Sequence, residues 1–156
     1  MAKKTFETLA DLADQVGVDD LAVSDWHTIT QAQINLFAQA TGDHQWIHLD
    51  AEKAAAGPFK TTIAHGFLTL SLIPMLTAEA IHINQSRMGI NYGLNKVRFT
   101  SPVPVNSRLR ARMKLLDNKS LDDGSGGVQQ TWEVKIEREG LDKPVCVAET
   151  LVRRYP

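Results

Sequence analysis

Two acids and two histidines fall within the eight-residue run Asp43-His44-Gln45-Trp46-Ile47-His48-Leu49-Asp50. Asp43 and His48 stand five positions apart, just after Gly42, in a stretch that reads as a loop. In a loop, that spacing lets both side chains turn toward one point. An imidazole ordinarily titrates near 6.5, so it can take or give a proton near neutrality, and a carboxylate within reach can share the same water. Such a pair suits adding water to carbon or removing it, because one group must take a proton from water while another delivers one to carbon. Assistance of this kind is typically worth ~10²–10⁴ in rate.

A second segment, Ile63-Ala64-His65-Gly66-Phe67, lies at the expected start of an apolar helix. The first N–H groups of a helix have no partner within it, and together with the helix dipole they favour negative charge. Gly66 has no side chain, so a carbonyl, such as that of a thioester, can come close to its N–H. Losing one donor to a developing oxyanion typically costs ~2.7–4 kcal/mol in the transition state.

The elements that must hold these residues can be read from hydrophobic period. Residues 5–16 read as a first helix capped by Thr5, with Phe6, Leu9 and Leu12 at helical spacing. Residues 21–29 read as a short strand or an extended entry. Thr30 with Gln33 forms a capping-box pattern that opens a helix, with Ile34, Phe37 and Thr41 on one face and Gly42 at its end. A turn of helix is expected near 51–56, broken by Gly57-Pro58. Residues 65–81 read as a buried helix, apolar nearly all round, kinked or broken at Pro74. Strands follow: 90–99, then 107–116 with Leu109, Ala111, Met113 and Leu115 alternating with Arg and Lys, then 128–138 and 145–152. Helices in the first half and hairpin-linked antiparallel strands in the second indicate an α+β fold.

Composition narrows the function class. The 156 residues carry 17 Lys and Arg against 18 Asp and Glu, a net charge of −1, which argues against nucleic-acid binding. The one cysteine, Cys146, cannot form an internal disulfide, so a reducing, cytoplasmic setting is expected. No long apolar run follows the N-terminal lysines and none is long enough to span a bilayer, so neither export signal nor membrane span is expected. The whole chain, 1–156, reads as one domain.

The remaining polar residues have plainer readings. Asp50 precedes Ala51-Glu52-Lys53 and reads as a helix cap. His44 reads as exposed and His65 as orienting its loop. Trp46 either walls the site or packs in the core. Arg108, Arg110, Arg112 and Lys114 read as a solvated strand face paired with Glu133 and Glu137, rather than as a landing site for phosphates. Cys146 reads as packing. His44, His48, His65 and Asp50 could in principle bind a metal, but Gly42 and the interposed Gln45-Trp46 argue for a loop and not for one helical face carrying His-x₃-His, so no metal is expected.

Gly42-Asp43-His44-Gln45-Trp46-Ile47-His48-Leu49-Asp50 together with Ala64-His65-Gly66-Phe67 resembles the MaoC-like dehydratases, also called R-specific enoyl-CoA hydratases. The family's loop typically reads Asp-x-Asn-Pro-(Ile/Leu)-His-x-Asp, with His-Gly about twenty residues on. Motifs carry the likeness from Ser24 to Phe99, and pattern carries it to the C-terminus. The resemblance implies a hot-dog fold, a curved antiparallel sheet wrapped around a long central helix. It implies homodimers, no metal and no redox cofactor. It implies hydration of trans-2-enoyl thioesters, carried on coenzyme A or acyl carrier protein, to (R)-3-hydroxyacyl thioesters. Asp43 and His48 become the acid–base pair and Gly66 the oxyanion donor, with Gln45, Trp46 and His65 supporting them. Gln45 replaces the usual Asn and Trp46 the usual Pro, as in a nodulation-protein-N-like subgroup. Two other readings stay open, an acyl-CoA thioesterase on the same fold and an acyl-binding module without catalysis.

Overall fold

The computed structural model describes residues 2–156. The chain opens with strand β1 (Lys4–Phe6), not the expected helix, and continues into a short 3-10 helix, Ala10–Gln15. The backbone from Lys4 to Phe6 pairs in parallel with Ile81–Ile83, and that long-range pairing overrides the helical spacing of Phe6, Leu9 and Leu12. Leu9 and Leu12 are nevertheless buried, as the spacing implied. Two short strands follow, β2 (Ala22–Val23) and β3 (His27–Thr28).

Helix α1 (Gln31–Thr41) begins with a complete capping box. The Thr30 hydroxyl accepts from the Gln33 N–H, and the Gln33 side chain accepts from the Thr30 N–H. Gly42 ends the helix at φ 80°, a left-handed conformation that glycine adopts without Cβ strain. The sequence then turns through two short helices, α2 (Trp46–Leu49) and α3 (Ala51–Ala55). Asp50 caps α3, its carboxylate accepting from the Lys53 N–H at 3.0 Å.

The expected central helix is divided into α4 (Gly66–Ser71) and α5 (Ile73–Ala80), with Pro74 in the first turn of the second piece. Proline fits there because its missing N–H falls among those a helix start leaves unpaired. The pair is less buried than its composition suggests. Leu68, Ile73, Leu76 and Ala80 enter the core, while Phe67 is 65% exposed.

Five further strands complete the chain: β4 (Ile81–Ile83), β5 (Met88–Phe99), β6 (Arg108–Ser120), β7 (Val128–Arg138) and β8 (Pro144–Tyr155). Apart from the β1–β4 pair they form an antiparallel sheet ordered β2-β6-β7-β8-β5, with β3 also paired to β6. Leu109, Ala111, Met113 and Leu115 on β6 and Trp132, Val134 and Ile136 on β7 face one core with α4 and α5. This is the α+β hot-dog arrangement. Burying one such leucine contributes about 1.5–3 kcal/mol. On the outer face Arg112 pairs with Glu137 at 3.1 Å and with Asp20 at 2.9 Å, Arg110 also pairs with Glu137, and Lys114 meets Asp19 rather than Glu133. The basic face is thus neutralised within the chain. Cys146 is fully buried, and burial pushes its thiol up to about 11, so it packs and does not react. Among the described residues, no helix is long and apolar enough to cross a membrane.

Gly42→Ala places a Cβ at positive φ and is expected to lower stability by about 1–2 kcal/mol, measured as a lower denaturation midpoint with an unchanged slope.

Candidate active site

The stretch after Gly42 and the segment Thr62–Ala64 are fastened together and then to the connection between β5 and β6. The Ile63 N–H donates to the Ile47 carbonyl at 3.0 Å. On its other side the segment runs against residues 103–105. The Ala64 N–H donates to Val103 at 2.8 Å, and the Val105 N–H donates to Thr62 at 2.9 Å. Gln31, the first residue of α1, adds a cross-brace. Its amide donates to the His48 carbonyl at 2.8 Å, and its side-chain oxygen accepts from the Thr62 hydroxyl at 2.7 Å. Nothing in the sequence pointed to Gln31 or Thr62, because their partners lie 17 and 31 positions away.

His48 is buried, and its Nδ1 lies 2.7 Å from the Ile63 carbonyl. A carbonyl can only accept, so Nδ1 carries the proton and Nε2 keeps its lone pair. His65, also buried, donates from Nε2 to the main-chain carbonyl of Asp43 at 3.0 Å. The two imidazoles stack with centroids 3.8 Å apart and planes 24° from parallel, and Phe37 packs on His65 at 4.8 Å. His65 thus touches both members of the predicted pair, beyond the loop-orienting role expected of it.

Asp43 is exposed, with its carboxylate facing the Gln45 N–H at 3.4 Å. A carboxylate oxygen of Asp43 and a ring nitrogen from each of His48 and His65 lie within 4.8 Å of one another. Two hydrogen bonds of about 2.8 Å can span such a gap through one water. His44 is exposed, as expected. Gln45 acts here through its backbone at the start of α2, and its side chain is exposed. Trp46 is half-buried against the turn at Gly57, where an added Cβ would lie 3.1 Å from its ring, and Lys53 sits 4.9 Å above it. It therefore packs behind the loop and does not wall the cleft.

His48 opens onto a cleft of about 360 Å³. Gly66, Thr69, Phe59, Phe99 and Val145 also line it. The Leu68 and Thr69 N–H groups both donate to the His65 carbonyl, so those of Gly66 and Phe67 are the ones α4 leaves for other partners. Gly66 is required sterically, since a Cβ there would lie 2.9 Å from the Phe99 ring.

Burial holds the His48 imidazole below its ordinary value, and the neighbouring His65 adds to this. The Ile63 carbonyl and Asp43 oppose it. The folded state thus binds fewer protons at His48 than the unfolded state does. Its contribution to stability is complete above 6.5 and falls away as pH drops from 6.5 through the lower folded value. An NMR titration of the His48 ring is expected to show a midpoint below 6.5, with the neutral form protonated at Nδ1.

The profile of the MaoC like domain matches residues 18–136. The chain is 56% identical over 150 residues to a 3-hydroxyacyl-thioester dehydratase Z of Mycobacterium tuberculosis, covering 96% of this chain and 97% of the relative. It is 43% identical to a nodulation protein N of Rhizobium leguminosarum, covering 90% of this chain and 87% of that one. An R-hydratase from Pseudomonas aeruginosa, solved without ligand, superposes with a TM-score of 0.69 at 29% identity, covering 93% of this chain and 83% of that one. With this fold, this loop and these relatives, the chain belongs to the MaoC-like domain family and is a hydratase or dehydratase.

Proposed function

We propose that the chain adds water reversibly to trans-2-enoyl thioesters, carried on coenzyme A, to give (R)-3-hydroxyacyl thioesters. The observation that carries this reading is the Nδ1 contact of His48 with the Ile63 carbonyl, which leaves Nε2 as the basic nitrogen of a ring that lies beside Asp43 and lines the cleft at Gly66. Water sits between Asp43 and His48. His48 Nε2 takes one of its protons as the oxygen bonds to C3. The C2=C3 electrons move toward the thioester oxygen, which accepts from the Gly66 N–H. The pair then returns one proton to C2 and ends in its starting state. A neutral imidazole is required for the first transfer, and burial keeps it neutral.

Acid–base chemistry also explains the stacked rings better than a metal does. Lone pairs lie in the ring planes, so two imidazoles stacked 24° from parallel do not aim them at one ion about 2.1 Å away. One nitrogen of each ring is already given to a carbonyl.

The homodimer is part of the same proposal. β5 lies at the edge of the sheet with Ile90, Tyr92 and Leu94 at 45%, 54% and 48% exposure. A free edge of twelve residues that exposes these apolar side chains offers a surface for pairing. A second copy supplies its own β5 through a two-fold axis.

With crotonyl-CoA and a longer enoyl-CoA, Asp43→Asn and His48→Gln are each expected to lose ~10²-fold or more in turnover with folding intact. Dialysis against a chelator is expected to leave the rate unchanged. Thiol release from a saturated acyl-CoA without hydration would favour the thioesterase reading. Tyr92→Asp is expected to shift the wild-type dimer toward monomer in sedimentation.

A further inference from the structure

The helices of the described chain carry four side-chain hydroxyls, and three have partners. Thr41 and Ser71 bond back to the carbonyls of Phe37 and Phe67, each at 2.7 Å, and Thr77 meets the Met113 sulfur at 3.4 Å. The fourth, Thr69, is 1% exposed, and its hydroxyl has no partner among the described residues. The reason is local. The carbonyl four residues back, that of His65, already accepts from the Leu68 N–H at 3.0 Å and the Thr69 N–H at 3.2 Å. A carbonyl has two lone pairs, so the usual back-bond has no acceptor left. Leaving a buried hydroxyl unsatisfied is unfavourable, and Thr69 lines the cleft that His48 and Gly66 also line.

Helical side chains lean toward the N-terminus, and residues three apart share a face. Gly66 and Thr69 therefore share one face of α4, and both line the same cleft. We propose that Thr69 donates its hydroxyl hydrogen to the thioester oxygen as a second donor alongside the Gly66 N–H. One donor comes from the main chain and one from a side chain, so the negative oxygen formed during hydration is held from two directions. This inference rests on the enoyl-thioester reading of the site. It predicts that Thr69 acts on the charged oxygen more than on the ground-state carbonyl.

The test compares wild type, Thr69→Val and Thr69→Ser. For the valine variant, kcat with crotonyl-CoA is expected to fall by ~10²-fold, while binding of saturated butyryl-CoA changes less than about threefold. Its melting temperature is expected to hold or rise, because valine removes an unsatisfied buried hydroxyl. Serine keeps the donor and is expected to keep most of the rate. A valine variant with wild-type kcat would overturn the inference. So would one whose loss appears only in KM, or one that loses melting temperature and butyryl-CoA binding together, which marks a structural hydroxyl. Wild type with no hydration would overturn the reading of the site and this inference with it. An active wild type beside a fully active valine variant would overturn this inference alone.

Discussion

The contact on which the site depends is the bond from His48 Nδ1 to the Ile63 carbonyl. It does three things at once. It fixes the tautomer, so that the basic nitrogen is Nε2. It ties the loop after α1 to the segment that leads into α4. It also satisfies a polar group in a place where burial would otherwise push the ring elsewhere. Ile63 can serve as this anchor because its own N–H is held by Ile47, and Thr62 and Ala64 are held by Val105 and Val103. The imidazole is thereby held through the connection between β5 and β6 and not by a free loop, the kind of fixed placement that the proposed acid–base role requires.

Around that anchor, main-chain carbonyls do much of the positioning. One orients His48 and another takes the Nε2–H of His65. The His65 carbonyl closes the first turn of α4 so fully that Thr69 is left without an acceptor. The same economy appears at Gly66, where the Phe99 ring fills the space a side chain would need. The basic groups on β6, by contrast, stay on the outer face and are paired with Glu137 on β7 and with Asp19, Asp20 and Glu139 nearby. The His48 ring is shifted by its burial and by its immediate neighbours His65, Ile63 and Asp43.

How much of this was legible in the sequence depended on range. The capping box at Thr30, the left-handed stop at Gly42, the Asp50 cap and the alternation in β6 and β7 are local rules, and each holds. Asp43 and His48 were legible from their spacing, although His48 stands on the single turn of α2 and not in the loop that was expected. The N-terminal helix failed because Lys4–Phe6 finds its partner 77 positions later, at Ile81–Ile83, and no local pattern records that. Gln31, Thr62 and the His48–His65 stack were invisible for the same reason. Trp46 takes its place from the turn at Gly57, a contact that no local pattern records. Thr69 carries no sequence signal of its own, and only the bonds at the His65 carbonyl single it out.

The central claim is that water held between Asp43 and His48 is delivered to C3 while the same pair protonates C2. It is tested most directly by running the hydration of crotonyl-CoA in deuterium oxide and determining the product by NMR and chiral analysis. The account predicts (R)-3-hydroxybutyryl-CoA with one deuterium at C2, set in a single configuration. A racemic C3, an S product, or free coenzyme A in place of the hydroxyacyl thioester would contradict it.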